Sequence, residues 1–319
     1  MIAVLCGGVG AARFLVALAR VADPADTVGI VNTGDDTVLH GLAISPDLDT
    51  VVYTLADAID RGRGWGLADE SWRAMEALQR FAVVRPAGST AAPTWFNLGD
   101  RDLATHFYRT ARLAEGATLS EVTAEICAAW GVKQRLLPMS DDTVSTVVTL
   151  AEGGEVSFQE YFVKLRHSVP VKSVQFAGAS EAVLSPGSGD ALGAADCVVI
   201  APSNPIVSIG PIRAIREVDS ILANRRASVV AISPIVGGAA LKGPADRMMK
   251  ELGHEPSVVG VARLYAPIAA ALVIDPVDAY LVDAIEAEGI RAVVTPSIMS
   301  TPEIELELAR VSLRAASAQ

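Results

Sequence analysis

Short apolar runs alternate with glycine- and proline-rich turns along most of the chain. That is the pattern of strands buried on both faces rather than one. The first run, residues 2–6, is followed by Gly7-Gly8-Val9-Gly10, and from 11 to 21 Phe14, Leu15, Leu18 and Val21 recur at helical spacing. A second apolar run at 28–32 completes a βαβ unit, which predicts a parallel sheet with a right-handed crossover. Between about 51 and 132 the runs lengthen and become more polar, predicting helices over 69–81, 102–114 and 120–130, the last with Ser120 as N-cap and Gly131 as stop. Strands return later. Residues 143–149 and 155–163 read as a local β pair around Gly153-Gly154, and 197–201, 229–233, 271–274 and 292–295 read as sheet strands, three of them ending in proline-containing loops.

The fold class expected is therefore α/β: a Rossmann-like open, mostly parallel sheet with helices on both faces and a mainly helical insert. No repeat, low-complexity tract or flexible linker interrupts residues 1–319, so one unit is expected, with the insert at about 51–132.

Composition narrows the function. Hydrophobic residues make up 51% of the chain and aromatics only 5%, so the core is built of small and branched aliphatics. Twenty-six basic against 37 acidic residues give a net charge of −11, which disfavours nucleic acid as a partner. No unbroken apolar run is long enough to span a bilayer, and no signal peptide leads the chain, so no membrane is expected. Cys6, Cys127 and Cys197 share no close spacing and read as core thiols of a soluble, cytoplasmic protein. The four histidines have no metal-binding spacing, and no complete nucleophile elbow exists.

Five groups of residues carry candidate chemistry. Gly8 and Gly10, between a strand and a helix, offer free amides to a phosphate, with Arg13 one helical turn on. A branched side chain at Gly10 should then block a diphosphate while sparing the fold. The turn lacks both the third glycine of a dinucleotide fingerprint and the Gly-Lys-Ser/Thr of a P-loop, and a tight structural turn is the other reading. Asn32-Thr33-Gly34-Asp35-Asp36 and Ser45-Pro46-Asp47-Leu48-Asp49-Thr50 gather oxygens suited to Mg²⁺; loop-forming and capping, with Asp49 capping a helix near Val51, is the alternative. Asn97-Leu98-Gly99-Asp100-Arg101-Asp102, followed by a helix carrying Thr105, His106 and Arg109, is either a polar ligand site or a capped helix start with local ion pairs. Residues 138–146 place Asp141 and Asp142 among hydroxyls. In Pro202-Ser203-Asn204-Pro205, Asn204 offers the donor and acceptor that reading a purine base needs.

Taken in order, the stretches at 7–13, 44–50, 98–102, 137–142, 202–206, 233–238 and 243–245 resemble the CofD family, also called 2-phospho-L-lactate or phosphoenolpyruvate transferases, with further likeness around Met299-Ser300-Thr301. The resemblance implies a step in making the deazaflavin coenzyme F-420. A phosphorylated three-carbon acid passes from its guanosine diphosphate donor to the terminal hydroxyl of the deazaflavin alcohol FO, and GMP leaves. It implies Mg²⁺ as cofactor and a homodimer. It places Asp35 and Asp49 as metal ligands, Asp49 also as the catalytic acid near FO, and Asn97 at FO. Gly8, Gly10, Arg13, Asn32 and Asn204 go to the nucleotide and its phosphates. Some relatives carry a basic residue at the Asn97 position. A nucleotide-sugar-binding regulator of the same superfamily is the alternative, and an NAD-dependent oxidoreductase is disfavoured because Asn32 stands where the ribose-binding acid belongs.

Overall fold

The computed structural model describes residues 1–317. Fourteen strands, numbered in chain order, divide into four sheets. The first are β1 (Ile2–Cys6), β2 (Thr27–Val31), β3 (Thr37–Leu39), β4 (Leu42–Ile44) and β5 (Arg135–Pro138). Then come β6 (Ser145–Leu150), β7 (Glu155–Ser157), β8 (Val171–Ala177), β9 (Cys197–Ile200) and β10 (Val229–Ile232). The last are β11 (Ile235–Val236), β12 (Ala239–Ala240), β13 (Ala271–Ile274) and β14 (Arg291–Val294).

The main sheet has seven parallel strands in the order β14-β13-β10-β9-β1-β2-β5. Its central strands β1, β2, β9, β10 and β13 are buried or nearly so along their whole length. Two large apolar clusters, one on each face, explain the unbroken apolar runs. The chain builds outward from β1 through β2 to β5, then returns to place β9 on β1's other side. The topological switch point therefore lies between β1 and β9, where open α/β sheets form their ligand crevice.

The helical insert is an elaborated crossover between the neighbouring strands β2 and β5. It carries the β3–β4 hairpin and four helices: α2 (Pro46–Leu55), α3 (Arg73–Ala82), α4 (Asp102–Ala114) and α5 (Leu119–Ala129), after α1 (Gly8–Leu18). α4 matches the expected bounds. α5 instead begins with a capping box in which Thr118, not Ser120, accepts from the Glu121 amide, while the Glu121 side chain accepts from the Thr118 amide. α2 also starts earlier than expected, with Pro46 in its first turn, so Asp49 lies inside the helix and caps nothing near Val51.

Two further differences concern strands. Residues 135–138, which the apolar pattern alone leaves unassigned, form the edge strand β5. The run 155–163 is strand only to Ser157. The chain then winds into a short π-helical turn, Glu160–Lys164, that buries Tyr161 and brings Gln159 back toward β2. β8, absent from the expected pattern, completes the three-stranded antiparallel sheet β7-β6-β8. No helix among the described residues is long and apolar enough to cross a membrane.

Candidate active site

The two loops at the switch point lock together through their backbones. Ser203 donates its hydroxyl to the Gly7 carbonyl (2.7 Å). A Cβ on Gly10 would lie 2.2 Å from the Pro202 carbonyl oxygen, closer than any side chain tolerates. Gly8 takes a positive φ of 72° that favours glycine, whereas Gly10 does not. Gly10 is thus required by the protein's own packing, and a branched residue there strikes the neighbouring backbone rather than sparing the fold. Asn204 spends its side-chain oxygen on the Ile206 amide (2.9 Å), leaving its Nδ2 without a partner among the described residues.

Beside that turn, at the N-terminus of α1, stands the carboxylate of Asp47, close to Gly8. Asn32, wholly buried at the end of β2, donates to both Asp47 (2.9 Å) and Asp35 (3.1 Å) while its own oxygen accepts from the Gly34 amide. One amide therefore bridges two acids. Gln159 holds Asp35 from the opposite side (3.1 Å), and Ser45 donates to Asp36 (2.6 Å), whose Oδ1 is sequestered without a partner.

These carboxylates repel one another. Burial, with Asp47 and Asp36 nearby, holds Asp35 well above the usual carboxylate range. Asp36 is raised the same way, chiefly by burial, and Arg109 only partly offsets it. Asp47 is pushed up to about 6 by burial, against the opposing pull of Asn32 and the Gly8 amide. Asn32, Asp35 and Asp47, spread over 15 residues of sequence, are one cluster in space. Asp47 belonged to a noticed motif, but only the fold shows it at the glycine turn.

Asp49 belongs to a second cluster, between α2 and α4. Arg109, almost fully buried, grips it with both terminal nitrogens: Nη1 donates to Oδ2 (3.1 Å) and Nη2 to Oδ1. His106 Nδ1 lies 3.8 Å from Asp49, and its Nε2 lies 3.3 Å from Asp102. Tyr53, one turn after Asp49, donates its hydroxyl to Asp102 (2.6 Å). Burial alone would raise Asp102, yet His106 and Tyr53 hold it below the usual range. Asp49, Asp102 and His106 bring three donor atoms within 4.8 Å of one another. The Arg109 guanidinium already neutralises Asp49, however, and a cation in that triad would face it. Sequence reasoning missed Arg109 and His106 as partners of Asp49; their i, i+3 spacing on α4, continued back to Asp102, was the available signal.

Other expected residues fall elsewhere. Arg13 turns away, pairing with Glu305 of the C-terminal helix Pro302–Ser317 and with the Met299 carbonyl just before that helix. Asn97 is exposed in the insert. The charged run 99–102 resolves into reciprocal capping. Asp100 accepts from the Arg73 and Ala74 amides at the start of α3, and Glu70 accepts from the Arg101 and Asp102 amides at the start of α4. A Cβ on Gly99 would meet the Glu70 carboxylate, so a side chain there would displace this cap. Asp141 likewise accepts from the Ser120 amide at the start of α5 (2.7 Å).

Next to the acids opens a cavity of about 660 Å³, walled by the loop after β2, the β3–β4 hairpin, Arg109 and the segment 141–146. Four of its polar atoms are buried without partners: Thr33 Oγ1, Asp36 Oδ1, Arg109 Nε and Thr146 Oγ1. Buried polar atoms are rarely left unpaired, so this wall is shaped for a polar ligand.

Comparison with known proteins agrees with the geometry. The family described as 2-phospho-L-lactate transferase CofD matches residues 2–301. The chain is 44% identical to the phosphoenolpyruvate transferase of Streptomyces griseus, covering 99% of this chain and 98% of the relative. It is 40% identical to that of Mycolicibacterium smegmatis, covering 98% and 97%. A solved structure of a Bacillus halodurans protein shares the fold with a TM-score of 0.62 at 12% identity, over 98% of each chain.

Proposed function

The chain belongs to the CofD family of transferases, and from that premise we propose that it makes a coenzyme F-420 precursor. The reaction moves a phosphoenolpyruvyl group from its guanosine diphosphate donor to the terminal hydroxyl of FO, with Mg²⁺ as cofactor and GMP as leaving group. The choice of phosphoenolpyruvate follows the names of relatives at 44% and 40% identity. We further propose that the enzyme works in the cytoplasm as a homodimer, which light scattering would register as twice the chain mass.

The observation that carries this reading is the gathering of Asp35, Asp36 and Asp47 at the C-terminal edge of the sheet, beside the glycine turn. Asp35 and Asp47, both hydrogen-bonded to the Asn32 amide, with Asp36 beside them carrying an orphaned oxygen, are the carboxylates we assign to a hard cation. When bound there, Mg²⁺ would neutralise charge on the transferred phosphate. Asp49, expected as a second ligand, has both oxygens on Arg109, so its proposed task is to orient the FO hydroxyl and take its proton. Asn32 would hold the acids apart at a fixed spacing. The amides of the turn at Gly8 and Gly10 face the donor's diphosphate, the free Nδ2 of Asn204 offers its base a donor, and exposed Asn97 meets the acceptor.

Phosphoryl-type transfer needs positioning and charge neutralisation rather than a protein nucleophile, and no nucleophile is offered here: the three cysteines are buried thiols, each raised by burial. The test is GMP release in the presence of guanylated phosphoenolpyruvate. Release should require both FO and Mg²⁺ and be lost in a folded Asp35→Asn variant. Release that ignores FO, or that survives chelation, would overturn the assignment. A regulator that only bound a nucleotide sugar would release nothing.

A further inference from the structure

Taking Asp49 as the acid that meets the acceptor, an assignment that rests on the function proposed above, we propose that Arg109 and His106 are its positioning residues. They fix the carboxylate through a buried ladder that ends at Tyr53.

The ladder is built on two facing helices. α2 contributes Asp49 and Tyr53, four residues apart; α4 contributes Asp102, His106 and Arg109, on one face at helical spacing. Arginine can only donate, so the 3.4 Å approach of Arg109 Nη1 to His106 Nδ1 makes that ring nitrogen an acceptor. Its Nε2 points toward Asp102, 3.3 Å from Oδ2, in ion-pair range but outside hydrogen-bond geometry. Asp102 is anchored in turn by the Tyr53 hydroxyl. The donor direction is set at both ends, by Tyr53 toward Asp102 and by Arg109 toward Asp49 and His106, and His106 joins the two ends by contact. The planar fork of Arg109 occupies both Asp49 oxygens and stops the carboxylate from turning. His106 keeps Arg109 from swinging toward the cavity it partly lines.

Stability alone gives little reason for this arrangement. Burying an arginine, a histidine and two carboxylates between helices is commonly no better than packing apolar side chains of the same volume. The surrounding residues of α2, Leu48, Val51 and Val52, show that apolar packing is available there. What a polar ladder adds is a fixed direction for one carboxylate, and reactions that depend on positioning are sensitive to displacements of about 1 Å.

Three variants and two readouts test the idea. Arg109→Lys keeps the charge and loses the fork. His106→Gln keeps a donor toward Asp102 and loses the acceptor at Nδ1, whereas His106→Asn keeps an acceptor near Nδ1. In the FO-dependent assay, Arg109→Lys and His106→Gln should lower kcat by about tenfold to a hundredfold, with KM for FO and donor within about threefold. His106→Asn should retain most of kcat. The second readout needs no turnover. In ¹⁵N spectra of the arginine side chains, the Arg109 signals, identified by their loss in Arg109→Lys, should show distinct terminal nitrogens because the fork blocks rotation. They should merge in His106→Gln and in Asp49→Asn but not in His106→Asn. If the two histidine variants lose activity equally and in proportion to melting temperature, the ladder is structural only. If the Arg109 signals ignore the histidine variants, the positioning role is wrong. A wild-type enzyme that turns nothing over but shows the NMR pattern would refute the FO reaction while leaving the ladder standing.

Discussion

Two segments leave the C-terminal edge of the sheet side by side, from β1 and from β2, and they are built on opposite principles. After β1 the chain packs backbone on backbone: Gly10 against the Pro202 carbonyl, Gly7 held by Ser203. After β2 it packs charge on charge, with Asn32 bridging two acids and Arg109 clasping a third. The first region tolerates no extra atom, and in the second Arg109 stands against Asp35, Asp36, Asp47 and Asp49. Shape is satisfied within the protein at the glycine turn, while charge at the acid cluster is left for something outside to complete. A glycine motif marks where a ligand can approach; the unbalanced acids mark where chemistry has to be supplied.

The sharpest way to break that contrast is to remove Arg109, the cation of the second region. Arg109→Met should cost about 3–5 kcal/mol, because it strands the buried Asp49 carboxylate. The double variant Asp49→Leu/Arg109→Met should recover much of that loss in urea denaturation. If the single variant costs nothing, the pair is not the counterweight it looks like.

The acids themselves make a pH prediction. Asp47 rises from an ordinary 3.8 to about 6 in the folded protein, so the folded state holds that proton more tightly than the unfolded chain. Its contribution to stability is full below about pH 4 and is lost as pH rises through about 6. The change is about 3 kcal/mol, from roughly two pKa steps of 1.36 kcal/mol each. Asp35 and Asp36 shift in the same direction. In chelator, Asp47→Asn should therefore gain on the wild type between pH 4 and pH 7. A constant difference between the two across that range would show that burial does not raise the Asp47 carboxyl.

Gly10→Ala probes the other region. Its Cβ meets a carbonyl that belongs to the sheet edge, so backbone must move, at about 1–3 kcal/mol. A melting temperature unchanged from wild type would mean the turn has room after all. The smallest effect is expected at Asn97, which is exposed: Asn97→Ala should stay within about 0.5 kcal/mol in stability and raise only KM for the acceptor.

How much of this was legible in the sequence follows from the range of the forces involved. The central strands, the parallel order of β1 and β2, and helix α4 are local patterns, and they read correctly. β5 hides because it carries a polar first residue, Arg135, and closes on Pro138, and the turn after Ser157 hides because its purpose, carrying Gln159 to Asp35, is a contact across 124 residues. The charged run at 99–102 left two readings open, and only its partners at Glu70 and Ala74 choose capping. Asp35 and Asn32 could be suspected from their place after β2. That Asp49 sits in the fork of a guanidinium depends on Arg109, 60 residues away, so the sequence showed both residues but not their pairing.

The most direct test of the account is the mass of the product formed from FO and guanylated phosphoenolpyruvate with Mg²⁺. The account predicts a new deazaflavin species heavier than FO by the phosphoenolpyruvyl group, formed in equal amount to GMP and lost when Asp35 is replaced by Asn in folded protein. Unmodified FO alongside an intact donor, or GMP released with no deazaflavin ester, would contradict it.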